Sequence, residues 1–354
     1  MNTKIIDLKE DGSQEELQKL KEAAYCIRKG GLVVFPTETV YGLGGNALDA
    51  EAAKKIYAAK GRPSDNPLII HISDLDEAEK YCHTTPLFYK LACAFWPGPL
   101  TMILKKRDCI PLSVTGGLDT VAVRLPSNKT ANTLIRLAGV PIAAPSANLS
   151  GHPSPTTKAH VIADLDGRVD MILAGNPCDI GLESTVIALD GDHVAVLRPG
   201  GITPEALQEL LGADHISVDR IVTEKVTDAF KPRSPGMKYR HYAPKAPVIL
   251  LHGTEEDVLA YMRHKQQTET GAAFLVYDEH AEKLPGAHTM TMGRRDDAAM
   301  QAHRLFLCLR AFDDMEGVDV IYAQIPSREG IGLAVYNRLA KAAGFCVEEV
   351  HGTY

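Results

Sequence analysis

Apolar positions follow two rhythms along this chain. Up to about residue 212, short aliphatic runs alternate with stretches of helical period, and Gly, Pro and Ser break almost every junction. Residues 15–29 put Leu17, Leu20, Ala24 and Ile27 on one face of a helix stopped by Gly30 and Gly31. Residues 50–60 and 87–95 predict two more helices, the first ended by Gly61 and Pro63, the second by Trp96-Pro97-Gly98-Pro99. Strands are expected at 32–35, 68–72, 100–104, 121–124, 142–144, 171–173 and 185–189.

Beyond residue 212 the pattern changes. Residues 229–254 hold four prolines and no Asp or Glu, but carry Lys231, Arg233, Lys238, Arg240, His241 and Lys245, which reads as an extended linker. Strands at 248–251, 273–276 and 320–323 then alternate with helices at 255–265, 298–311 and 333–343, the signature of a small parallel sheet covered by helices. The expected organisation is a first domain over 1–212, a linker over 213–246 and a second domain over 247–354.

Composition supports two cores. The chain has 354 residues, 45% hydrophobic and 23% charged, about twice the commonest domain length. A net charge of -7 argues against a surface built to grip nucleic acid. Seven scattered cysteines without a C-x-x-C pair fit reduced thiols rather than a disulfide frame or a zinc site. The start lacks the apolar core of a signal peptide, and no run approaches a membrane span, so a soluble, cytoplasmic protein is expected.

Five stretches of the first domain combine hydroxyls, Gly, Pro and an isolated charge near strand ends, where open α/β sheets bind ligands. In 36–44, PTETVYGLG, hydroxyls and glycines suit a small polar ligand or a plain turn. In 60–67, Lys60 and Arg62 flank Gly61 in a stiffened loop that can aim both cations at one polyanion; the structural alternative is a basic helix end favoured by the macrodipole. The spacing is not that of a Walker loop. His71, in an apolar strand, reads as a satisfied core histidine. Arg124 interrupts another apolar strand, and a bound carboxylate or an internal Asp or Glu equally meets the buried charge. Finally, 144–151 places Ser146 and Asn148 after a small-residue strand end, suiting a purine or phosphate, or an Asx or Ser turn. There is no clustered Cys/His set, nucleophile elbow or dinucleotide fingerprint.

Taken in order, PTETVYGLG (36–44), KGRPSDNPL (60–68), PGPLT (97–101), VAVRLP (121–126), APSANLSG (144–151), ESTV (183–186) and RPGG (198–201) resemble the Sua5/YrdC family of threonylcarbamoyl-AMP synthases. SPGMKYRHYAP (234–244) resembles the linker of its longer, two-domain form. The resemblance implies an α/β fold, a YrdC-like twisted, mostly parallel sheet with a concave cavity, plus a small Rossmann-like C-terminal domain. It implies L-threonine at Thr39, His71, Arg124, the Ala144 backbone and Ser184, with Arg124 receiving the carboxylate. It places ATP at Lys60, Arg62, Asn66, Thr120, Ser146, Asn148, Ser154 and Arg198, with Tyr242 folding over the nucleotide from a linker that crosses the active-site mouth.

The reaction so implied joins L-threonine, bicarbonate and ATP, with Mg²⁺ bound through phosphates and Lys60 and Arg62 as the catalytic cations. Its product would feed the downstream tRNA threonylcarbamoyl-transferase machinery, without stable nucleic-acid binding by this chain. An RNA-binding module without catalysis is the main rival. Net charge and the lack of interleaved basic and aromatic residues weigh against it. A carbamoyl-phosphate-using hydrogenase-maturation enzyme would carry zinc-type cysteine pairs, and a nucleotide sensor would need a phosphate loop in the second domain.

Overall fold

The structure, a computed structural model, describes residues 2–225, 241–286 and 288–352. The expected linker therefore lies partly outside the described residues. The described chain forms two units, the first holding 2–150 and 154–222 and the second 151–153, 223–225 and the remainder from 241.

In the first unit, β1 (Lys4–Asp7) leads to α1 (Gln14–Arg28), whose first turn is capped by the Ser13 hydroxyl accepting the Glu16 N–H. Leu20, Ala23, Ala24 and Ile27 bury one face of α1. They join a core with Val33 and Phe35 of β2 (Val33–Phe35) and with Leu134 and Ile135 of α6, introduced below. Each large side chain buried there is worth about 1.5–3 kcal/mol. Next comes β3 (Gly42–Asn46), a strand of sequence GLGGN. A Cβ on Gly44 would lie 2.7 Å from both Ile142 Cγ2 and Phe35 Cε1, so the glycine lets neighbouring strands and their side chains close over it.

Helix α2 (Ala50–Lys60) starts at an Asp49 cap and ends at Gly61, whose φ of 62° provides the left-handed stop. That geometry sets Lys60 in the last turn. Then follow β4 (Ile69–His71), α3 (Ala78–Tyr81), α4 (Pro86–Phe95), β5 (Leu100–Lys105), α5 (Leu112–Thr115), β6 (Thr120–Arg124), α6 (Lys129–Ala138), β7 (Ile142–Ala143), α7 (Lys158–Leu165), β8 (Met171–Ala174), β9 (Thr185–Asp190), β10 (His193–Arg198), α8 (Pro204–Leu211) and β11 (Ile216–Val218). The strands form one sheet ordered β1-β8-β2-β3-β7-β4-β6-β5-β9-β10-β11. Parallel pairs such as β4–β6 and β5–β9 are interleaved with antiparallel ones such as β5–β6 and β3–β7.

The second unit alternates as its sequence predicts: β12 (Val248–His252), α9 (Glu255–Thr268), β13 (Ala272–Val276), β14 (Thr289–Thr291), α10 (Ala298–Asp313), β15 (Val320–Gln324), α11 (Gly330–Ala342) and β16 (Val347–Glu349). Its sheet, ordered β14-β13-β15-β12-β16, is parallel at every pairing. Over the two sheets together parallel pairings outnumber antiparallel ones. Among the described residues no helix is long and apolar enough to cross a membrane.

Candidate active site

The motifs of the first unit are tied together by main-chain hydrogen bonds around the loop that leaves β2. Ile180 N–H donates to the Glu38 carbonyl at 2.9 Å and Gly181 N–H to that of Thr39 at 3.2 Å. Tyr41 N–H donates to Pro155 O at 3.0 Å, Ala147 N–H to Tyr41 O at 2.8 Å, and Leu43 N–H to Pro145 O at 2.9 Å. Residues 36–43 are thereby fixed against the 145–147, 155 and 180–181 segments. Thr37 hands its hydroxyl proton to Val40 O at 2.6 Å, so at the 2.9 Å contact between the two hydroxyls Thr39 is the donor.

Register brings the charged groups into one row. His71 of β4 and Thr101 of β5 are the two cross-strand partners of Arg124 in β6. Thr101 Oγ1 lies 2.8 Å from Ser184 Oγ, just before β9. Arg198, at the end of β10, donates from Nε to Ser184 O at 3.1 Å and from Nη2 to Ser184 Oγ at 3.2 Å. The expected threonine and ATP groups therefore meet at Ser184. Gly200 makes this crossing possible, since a Cβ there would fall 2.4 Å from Thr185 N. Ala144 spends its N–H on Ile69 O at 2.9 Å.

Arg124 is 4% exposed and Glu38 5%. Arg124 Nη2 stands 2.8 Å from Glu38 Oε1, and Ser127 N–H donates to that oxygen at 3.1 Å. The resemblance made a substrate carboxylate the answer to the buried cation. The structure corrects this: Glu38 already neutralises Arg124, so a bound carboxylate would be its second partner. The pairing is not closed, however. The Arg124–Glu38 contact is an ion pair rather than an aligned hydrogen bond, and neither Arg124 Nη2 nor Glu38 Oε2 has a hydrogen-bond partner. An orphaned buried polar atom costs about 1–3 kcal/mol, more when charged.

Burial pushes the Glu38 carboxyl up, but the Arg124 guanidinium together with the Ser127 N–H outweighs it and holds the group below the usual carboxylate range. Burial and the Arg124 cation push His71 down to about 3, so its imidazole is neutral at physiological pH. It lies with Nδ1 3.3 Å from Ile142 O and its ring edge-on to Phe35. His71 thus keeps the buried character expected of a core histidine while standing beside Arg124.

The cationic loop and the Ser-x-Asn turn converge as well. Lys60, 3% exposed, donates from Nζ to the carbonyls of Ser146 and Asn148 and, at 3.3 Å, to Asn148 Oδ1. Ser146 Oγ donates to the same Oδ1. Arg62 is half-buried, with Nη2 3.2 Å from Asn66 O and 3.1 Å from Pro67 O. Asn66 is fully buried, yet neither Nδ2 nor Oδ1 of its side chain has a hydrogen-bond partner. Ser154, also fully buried, donates to Glu183 Oε1. Thr120 begins β6 and Arg124 ends it, a separation of about 13 Å along the strand. Tyr242 belongs to the second unit, where its ring lies 5.2 Å from that of Phe306 and 5.7 Å from the Arg338 guanidinium.

Comparison with known proteins assigns the architecture. A Sua5/YciO/YrdC family model, described as "Telomere recombination", matches residues 25–200, and one described as "Threonylcarbamoyl-AMP synthase, C-terminal domain" matches 202–344. The chain belongs to the threonylcarbamoyl-AMP synthase family. A threonylcarbamoyl-AMP synthase of Bacillus subtilis (strain 168) is 45% identical over 348 residues, covering 97% of this chain and 99% of its own length. The corresponding Pyrococcus abyssi (strain GE5 / Orsay) protein is 44% identical over 357 residues, covering 98% of this chain and 100% of itself. The crystal structure of P. abyssi Sua5 complexed with L-threonine superposes with a TM-score of 0.88 at 42% identity, covering 99% of this chain and 100% of that one. The family activity is an ATP-using nucleotidyl transfer. Glu38 and Thr101 touch the expected site residues although reading the sequence gives them no role, and Glu183, named there only within ESTV, does so too. Glu38 had left a trace: a lone acid in a Thr- and Gly-rich loop, of the type needed opposite a buried Arg.

Proposed function

We propose that the first unit of this threonylcarbamoyl-AMP synthase holds L-threonine along the row of His71, Arg124, Thr101 and Ser184, with Thr39 and the Ala144 backbone completing that side. ATP lies along Lys60, Arg62, Asn66, Thr120, Ser146, Asn148, Ser154 and Arg198. The observation that carries this reading is the half-satisfied Arg124–Glu38 pair, set in one row with His71 and Thr101 beside the locked 36–43 loop.

The ammonium of threonine gives up a proton to solvent, and the free amine nitrogen adds to the carbon supplied by bicarbonate, with loss of water, to give a carbamate. A carbamate oxygen then attacks the α-phosphorus; the bond to the bridging oxygen breaks, and pyrophosphate leaves with the electron pair. Positioning and charge supply most of the help in such a transfer. Lys60 and Arg62 counter the growing charge of the leaving group, while Ser146 and Asn148 hold Lys60 in place. Mg²⁺ enters as part of the nucleotide substrate, through phosphate oxygens. Arg124 fixes the carboxylate, and a neutral His71 places no second cation against the amine. The threonylcarbamoyl adenylate is a labile mixed anhydride, so its consumer is an acyl-transfer system of the cytoplasm acting on tRNA.

Mass spectrometry of protein with ATP, Mg²⁺, threonine and bicarbonate should yield threonylcarbamoyl-AMP and pyrophosphate, with loss of both products when any one is omitted. Product formation independent of threonine or bicarbonate overturns the reading.

A further inference from the structure

Glu38 has no part in the assignment above beyond balancing Arg124, yet its geometry offers more. Its Oε1 is occupied by Arg124 Nη2 and by the Ser127 N–H. Its Oε2 is buried and makes no hydrogen bond. Arg124 Nη2 is in the same position: ion-paired, buried and with no aligned acceptor. One salt bridge therefore leaves over an anionic acceptor and a cationic donor side by side, and buried polar groups are rarely left so without a partner.

We propose that Glu38 is the amine-recognition residue of the amino-acid site. Its Oε2 receives the α-ammonium of an L-α-amino acid whose α-carboxylate takes Arg124 Nη2. The inference rests on the threonine site proposed above and adds a selectivity to it. Arg124 by itself would accept any carboxylate. The pair, flanked by a neutral His71, sums to zero charge and presents one site of each sign, which matches a zwitterion and penalises a bare carboxylate. A molecule with a hydroxyl in place of the ammonium brings one uncompensated negative charge to within reach of Glu38, in a buried setting where that repulsion is weakly screened.

The two charged groups are placed by different devices. Arg124 is held by strand register between His71 and Thr101. Glu38 is held by its own backbone, whose carbonyl accepts from Ile180 N–H. The carboxylate thus stands where it does independently of Arg124, as a recognition group must. Its depressed proton affinity keeps it ionised near neutral pH, so it binds the ammonium form without removing its proton.

The test is calorimetric titration of the full chain with L-threonine and with the 2,3-dihydroxybutanoate of the same configuration, in which only the amine is replaced. The wild-type chain should prefer threonine by about tenfold or more. Glu38→Gln, which keeps an acceptor for Ser127, should weaken threonine by about 10- to 100-fold. It should leave the dihydroxy acid unchanged or tighter, and ATP binding unchanged. Equal weakening of both ligands would mean that Glu38 only places Arg124, and overturns the proposal. So does a wild-type chain that binds both ligands equally, a comparison that needs no variant to fold. Glu38→Asp, which keeps the charge, should recover part of the preference for threonine. A wild-type chain that binds neither threonine nor ATP would instead remove the underlying site.

Discussion

Two polar networks, one in each unit, treat their buried groups in opposite ways. At the carboxyl ends of β12, β13 and β15 in the second unit, a cavity of about 160 Å³ is lined by residues including His252, Glu255, Arg295 and Gln324. Open parallel sheets commonly bind ligands at such an edge. Here the side chains largely satisfy one another: Gln324 Oε1 accepts from Tyr277 N–H and His280 Nδ1, both at 3.0 Å. Glu255 takes His280 Nε2 at 2.8 Å through one oxygen and the Arg295 guanidinium through the other. In the first unit, Glu38, Arg124 and Asn66 are as deeply buried as Gln324 and His280, but keep side-chain atoms without hydrogen-bond partners. Depth of burial does not separate Gln324 and His280 from Glu38, Arg124 and Asn66. The difference lies in whether the chain completes its own hydrogen bonds, which fits one network to a scaffold role and the other to the substrate site proposed above.

The largest effect that would break this comparison is on Arg124. Arg124→Lys keeps the positive charge opposite Glu38 but loses the planar fork. The expected result is a fall of about 100-fold in kcat/KM for threonine in a pyrophosphate-release assay, with KM for ATP nearly unchanged. Equal losses for both substrates would show that the row serves the whole site and not the amino acid. Gln324→Leu probes the other network. It strands the Tyr277 N–H and one nitrogen of His280, so urea unfolding should report a loss of about 1–3 kcal/mol with kcat within twofold of wild type. Asn66→Leu should act in the reverse sense. Removing an amide that the fold leaves unmatched should keep or slightly raise the unfolding midpoint, while KM for ATP rises about tenfold. If Asn66→Leu destabilises the protein as Gln324→Leu does, the two regions are alike.

How much of this was legible depended on whether a feature is local. Helix α2 was readable to its last residue, because Asp49, the apolar face and Gly61 are all local signals. β3 was not, since GLGGN has none of the branched side chains that mark strands; its glycines answer to Ile142 and Phe35, which only the fold brings near. β10 was missed although His193–Arg198 alternates in burial near its start, a period that could have been read. Edge strands β14 and β16, three residues each and without a fully buried position, offered little pattern. At the site, Arg124 stood out because a cation in an apolar strand demands a partner, whereas the choice of Glu38 depends on how the 36–43 loop is pinned to distant segments. Lys60 and Arg62 read as a pair aimed at one polyanion, but their donors rest on the carbonyls of Ser146, Asn148, Asn66 and Pro67.

The smallest and sharpest effect concerns pH. Because Arg124 holds the folded-state affinity of Glu38 for a proton below the ordinary carboxylate value, the unfolded chain binds more protons than the folded one as pH drops through about 4.3 and below. Stability from this pair is therefore fully present above that value and is lost as pH falls toward the depressed folded value. Glu38→Gln carries no titrating group, so the first unit of that variant should lose less stability between pH 5 and the acid limit than the wild type does, although it starts lower. Glu255 is also depressed, through the His280 bond, but it is exposed enough for solvent to screen its contribution, so Glu255→Gln should change the acid slope less. Urea midpoints for the three proteins, followed across that range, would order the slopes as wild type and Glu255→Gln together, with Glu38→Gln flatter. A Glu255→Gln slope flatter than that of Glu38→Gln would reverse the comparison, making the second network the one that holds its charge under strain.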